Sequence, residues 1–219
     1  MNTIKKWLIA EKITEKYDFT SLTNKLSNLT IPTEIKFCIK TIPLPNNDRY
    51  QPIPYKVAII DFEGSPVILL GLMIHDTLFT YYTESHDNLD MFHLFILEIL
   101  YQIRELTFFS FSEYEELGLL EMSIALVEKG FDLNKYRYLE TLSVINLQKE
   151  KFESIAEAMF SSDSQFEFTG DPLFRNIKLI GKLFITKKFD DIISHNHTCL
   201  LNESIILKRW VKTYNLSRK

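Results

Sequence analysis

This sequence predicts an α/β fold on one mixed five-stranded sheet: an antiparallel meander of three strands, then β-α-β-α units, with flanking helices. Three observations predict it. The apolar run 56–61 (KVAIID) ends in an acid, the pattern of a strand buried on both faces whose C-terminal end opens on a site. Two more strand-like runs follow at once, 67–74 and 78–83, parted by the hairpin signal His75-Asp76. Beyond them, helical periodicity alternates with short apolar runs.

Residues 3–28 read as helix, with Ile4, Trp7, Leu8 and Ile13 at roughly helical spacing and a second stretch beginning near Ser21. Residues 31–54 hold five of the seven prolines. Proline removes a backbone donor and restricts its neighbour, so this segment reads as an extended linker with one short strand at 35–39. The expected division is thus an N-terminal helical extension and linker, 1–54, and a domain proper, 55–219. Within the domain, a helix opens at 87–90 and runs to about Arg104. A fourth strand covers 106–111 (LTFFSF). Ser112 then caps a helix whose first turn carries Glu113, Glu115 and Glu116 and which ends near Lys129-Gly130. Residues 136–144 read as the fifth strand. From Gln148 onward the pattern is helical, broken at 168–172 (FTGDP), and a last helix is expected from about Thr198 to Tyr214.

Composition narrows the function classes. Two cysteines, Cys38 and Cys199, make neither a disulfide framework nor a zinc spacing, and a reducing, cytoplasmic setting is expected. No apolar run is long enough to span a bilayer, so no membrane partner is expected. There is no GxGxxG and no GKS/T, which argues against nucleotide-cofactor enzymes. The net charge of −4 is unevenly spread. Residues 84–121 carry nine acids and one base, whereas 172–219 carry ten bases and three acids. That asymmetry could set phosphate-binding charge beside a metal-binding cluster.

The candidate chemistry starts with Asp61 and Glu63. Residues two apart on a strand face the same way, so both carboxylates can enter one cleft, where hard oxygen donors suit Mg²⁺ or Mn²⁺. Glu115 follows a second buried strand and can reach the same edge. The segment 192–203 (IISHNHTCLLNE) gathers His195, Asn196, His197, Cys199, Asn202 and Glu203 in what reads as the start of a helix. Its plain alternative is capping and surface hydrogen bonding.

The succession KVAIIDFEG, two hairpin strands, a helix, FFSFSEYEEL, YRYLETLSVI and a closing helix with His195-Asn196 and Leu207-Lys208-Arg209-Trp210 resembles the DEDD superfamily of 3′–5′ exonucleases within the RNase H-like fold, in particular the YprB-like ribonuclease H-type nucleases. The resemblance covers about residues 55–214. It implies that Asp61 and Glu63 form the first metal motif and Tyr114-Glu115 the second. It implies a water-positioning role for His195 or His197 as well. The third motif departs: where an aspartate is expected stands Cys199 or Asn202, with Glu203 one residue beyond as a substitute. The implied activity is divalent-metal-dependent hydrolysis of single-stranded DNA or RNA, with a weakened Mg²⁺ or Mn²⁺ site. Lys182, Lys187, Lys188, Lys208, Arg209 and Lys212 would contact phosphate. The departure also supports an alternative, a non-catalytic module that binds nucleic acid or a protein. Residues 1–54 could mediate a homodimer or hold a protein partner.

Overall fold

The computed structural model describes residues 9–10, 12–14, 16–42, 53–141, 145–146, 171–173 and 176–216. Its elements are α1 (Phe19–Ser27), β1 (Ile35–Thr41), β2 (Val57–Glu63), β3 (Leu69–Ile74), β4 (Thr77–Thr83), α2 (Leu89–Gln102), β5 (Thr107–Ser110), α3 (Tyr114–Glu128), β6 (Ile145–Asn146), α4 (Ile180–Ile185) and α5 (Phe189–Leu216). The strands form one six-stranded mixed sheet in the order β1-β4-β3-β2-β5-β6. β2, β3 and β4 make the antiparallel meander, and β5 and β6 join parallel to β2 and to each other. The α/β class and the mixed sheet are therefore as expected, with one strand more.

The extra strand is the short one expected at 35–39 within the linker, and it joins the domain's sheet. Residues 35–41 lie between Pro32 and Pro43, and all seven pair antiparallel with β4. The helix before it also belongs to the sheet's core. Asp18 caps α1 by accepting from the backbone N–H groups of Thr20 and Ser21, and Leu22 and Leu26 are buried with residues of β2, β3 and α2.

Alternation along β2 sets the two layers. Ala58, Ile60 and Phe62 face a core shared with α1, α2 and α3. Val57 and Ile59 face the other side, where Leu200, Leu207, Trp210 and Val211 of α5 cover the sheet and Phe109 meets the Trp210 ring edge-on. Asp61 and Glu63 continue that second face, so the period of two that builds the core also aims both carboxylates under α5.

Two expectations need correction. Residues 134–141 form a 3₁₀ helix, not a strand, and the sixth strand is only Ile145–Asn146. Asp132 accepts from the Asn134 N–H to start that turn, and the Tyr136 hydroxyl donates to Glu98 of α2 at 2.9 Å, which holds it off the sheet. The last helix begins at Phe189, nine residues before Thr198, with Asp190 and Asp191 in the first turn where the helix dipole favours acids. The helical reading of 148–167 lies outside the described residues.

Tyr81, on β4, gives a prediction about stability. Its hydroxyl is buried and has no hydrogen-bond partner among the described residues. An unsatisfied buried hydroxyl is unfavourable, so Tyr81→Phe should stabilise the fold by about 1 kcal/mol, read as a higher urea midpoint at unchanged slope.

Candidate functional site

The site lies where the C-terminal ends of β2 and β5 meet the first turns of α5 and the start of α3. A cleft of about 670 Å³ opens there, lined by Asp61, Glu63, Ser112, Tyr114, Glu115 and His195 on one side and by Pro66, Ile177, Lys178, Phe184 and Ile185 on the other.

Each acid is placed by local structure. Asp61 and Glu63 occupy alternate positions near the end of β2. Glu115 is on the first turn of α3, and Ser112 holds that turn: its Oγ accepts from the Tyr114 N–H and donates to Glu115 Oε2, both at 3.1 Å. The Tyr114 hydroxyl donates to the Gly64 carbonyl and ties α3 to the turn after β2. Glu203, at 1% exposure, projects from α5 behind the cleft wall.

Helix α5 is seated by one row across the sheet. Asp61 pairs with Gly71, Gly71 with Thr80 and Thr80 with Cys38. Asn196 sits over Gly71 and donates from Nδ2 to Asp61 Oδ2 at 2.8 Å and to the Asp61 carbonyl at 3.2 Å. A Cβ on Gly71 would lie 2.6 Å from Asn196 Cγ, so only glycine admits this contact. Next to it, His197 Nε2 bonds Thr80 Oγ1 at 2.8 Å.

Electrostatics ties the four carboxylates together. Burial, then the charges of Glu63, Glu203 and Glu115, push Asp61 well above the usual carboxylate range. Burial, then Glu115 and Glu63, does the same to Glu203. Glu63 rises to about 7, mainly through burial, although His195 and Asn196 oppose the shift. Glu115 also rises to about 7 through burial, against hydrogen bonds from its own backbone, Ser112, the Phe62 backbone and Ser110. Like charges brought together out of water resist joint ionisation.

The two histidines have separate surroundings. His195 Nδ1 bonds Asp171 Oδ1 at 2.8 Å, and its Nε2 stands 3.8 Å from Glu63 Oε1. Burial lowers its pKa, but the hydrogen bond to Asp171 and the charges of Glu63 and Asp171 together outweigh burial and raise it. Burial, followed by the charge of Lys40, lowers His197 to about 4.

The remaining sequence candidates scatter. The Cys199 thiol lies 3.8 Å from His195 Nε2, and burial followed by the charges of Asp61 and Glu63 pushes it well above its ordinary value. Asn202 is buried on α5 and does not line the cleft. Lys182, Lys187 and Lys188 are exposed around the end of α4. Lys208, Arg209 and Lys212 sit thirteen or more residues past His195, roughly 20 Å or more along α5 at helical rise, and so stand apart from the cleft. Among the described residues lining the cleft, the lysine is Lys178.

Sequence reasoning missed Asp171, Gly71 and the seat of Asn196. The signal for Gly71 was present: an isolated glycine inside an apolar strand marks close approach by another group. Asp171 had only its position in the helix-breaking FTGDP.

The donor set is hard oxygen, and Asn196 Oδ1 and Glu203 Oε2 are buried without hydrogen-bond partners among the described residues. That chemistry fits Mg²⁺ or Mn²⁺. Among the described residues, no group of three or more His, Cys, Asp or Glu side chains stands at the spacing of a preformed metal cradle. No helix among them is long and apolar enough to cross a membrane. Comparison with protein families, with curated proteins and with solved structures finds no match.

Proposed function

We propose that this chain is a divalent-metal-dependent nuclease of the 3′–5′ exonuclease type with an RNase H-like sheet. The observation that carries the proposal is the clustering of four carboxylates, buried Glu63, Glu115 and Glu203 with half-buried Asp61, three of which line an open cleft beside His195. A buried cluster of this kind is stable as anions only with a cation to share, and hard oxygens favour Mg²⁺ or Mn²⁺. Asp61, Glu63 and Glu115 would hold the ion, with Glu203 adding negative charge behind them. The ion would polarise a phosphodiester and lower the pKa of water.

The chain's own groups supply the rest. Asp171 accepts from His195 Nδ1 and so orients Nε2 toward Glu63, where it can hold or release a proton. Ser112 fixes the Glu115 carboxylate. Ile177, Phe184 and Ile185 offer an apolar wall against which an unstacked base can lie, with Lys178 beside it for phosphate.

Labelled single-stranded DNA and RNA, incubated with the purified chain and Mn²⁺, should shorten from one end. Asp61→Asn should abolish shortening, and His195→Ala should slow it by about a hundredfold or more. Intact substrate with folded wild-type protein would contradict catalysis. A specific observation, the lack of a preformed cradle among the described residues, favours as second reading a non-catalytic module. That reading predicts salt-dependent nucleic-acid binding without cleavage.

A further inference from the structure

Helix α3 is apolar on two faces. Its inner face, Leu119, Met122 and Leu126, is buried against the sheet. Its outer face carries Leu117, Leu120, Ile124 and Val127, and Phe131 follows just past the helix end. These five side chains are 39% to 58% exposed. Their spacing of three and four is the seam of a coiled coil, presented to solvent. A helix apolar all round is ordinarily covered all round, so this outer stripe marks an interaction surface.

The charge beside the stripe selects the occupant. Glu121 and Glu128, both exposed, stand seven residues apart along one flank, and exposed Asp132 follows Phe131. Lys129, at the end of the helix, is held by Asp90 at 2.6 Å. A second copy packed on this face would bring these glutamates against like charge, which disfavours self-association. We propose that the outer face of α3 is the docking site for a basic amphipathic helix of another protein, its apolar stripe laid on Leu117, Leu120, Ile124 and Val127 and its lysines or arginines beside Glu121 and Glu128. The helix-in-groove mode of recognition has this form. This inference is independent of the nuclease reading, because the stripe lies on the face of α3 opposite the sheet.

The test uses the full chain and a designed three-heptad peptide, leucine at its core positions and lysine at the flanks, followed by fluorescence anisotropy. The wild-type chain should bind it, and added salt should weaken binding. Ile124→Asp, at an exposed position, should keep the thermal midpoint and weaken binding at least about tenfold, as should the pair Glu121→Lys and Glu128→Lys. A glutamate-flanked peptide of the same core should fail to bind. Three results would each overturn the proposal. One is no binding by the wild-type chain, and another is equal binding by wild type and Ile124→Asp or by both peptides. The third is an Ile124-dependent dimer in sedimentation without peptide, which would assign the face to a second copy.

Discussion

In the absence of divalent metal, the thermal midpoint should fall by roughly 10 °C or more between about pH 5 and about pH 8, and Mn²⁺ should restore much of it at the higher pH. Glu63 and Glu115 sit at about 7 in the folded chain against 4.5 in an ordinary peptide, and Asp61 and Glu203 are displaced the same way. A group whose folded pKa is raised binds its proton more tightly in the native state. Its stabilising contribution is complete below 4.5 and disappears as pH rises through 7. His195, also raised, acts in the same direction. His197 opposes: lowered to about 4, it is held neutral, so it withdraws stability as pH falls below its ordinary value of 6.5. The carboxylates outnumber it, and their combined effect is on the order of several kcal/mol. Asp61→Asn removes one ionisable member while keeping its shape. That variant should lose less stability between the two pH values than wild type, and should gain less from Mn²⁺. A wild-type midpoint flat across this range would show that burial and mutual repulsion do not raise these carboxylates in the folded chain.

Gly71→Ala should destabilise the protein by about 3 kcal/mol or more, unusually much for one methyl group. The added Cβ would enter the space of the Asn196 amide, 2.6 Å from its Cγ. Asn196 cannot simply swing aside, because it is completely buried and bonded to Asp61 twice. Relief requires α5 to lift from β2 and β3, and that would also displace His195 and Glu203. The double variant Gly71→Ala with Asn196→Ala should recover a substantial part of the loss, since the methyl then fills the vacated space. Urea unfolding of the four proteins in the cycle measures the coupling. Additive losses would mean that the steric account of this row is wrong.

The sheet was legible because its cause is local. The continuous apolar run KVAIID and the hairpin at His75-Asp76 specify strands with little help from distant residues, and the period of two along a strand sets which residues share a face. For the same reason Asp61 and Glu63 could be placed together, and Glu115 beside them at a helix start. The start of α5 was hidden because HNHTC is polar and looks like a cap. Its polar side chains face inward to Asp61, Glu63 and Thr80, contacts that periodicity of apolar residues cannot register. Tyr136–Thr141 carried strand-like composition, yet the hydroxyl of Tyr136 found Glu98, so tertiary contact overrode propensity. Asp171 reaches His195 across 24 residues of sequence, and no local pattern announces such a pair.

Calorimetric titration of the wild-type chain and Asp61→Asn with Mn²⁺ at about pH 7, repeated in buffers of different ionisation enthalpy, tests the central claim most directly. Wild type should bind Mn²⁺ and release protons as Asp61, Glu63 and Glu115 ionise around it, and Asp61→Asn should bind at least about tenfold more weakly. Identical isotherms for the two proteins, or no heat of binding by folded wild type, would contradict a metal site at this carboxylate cluster.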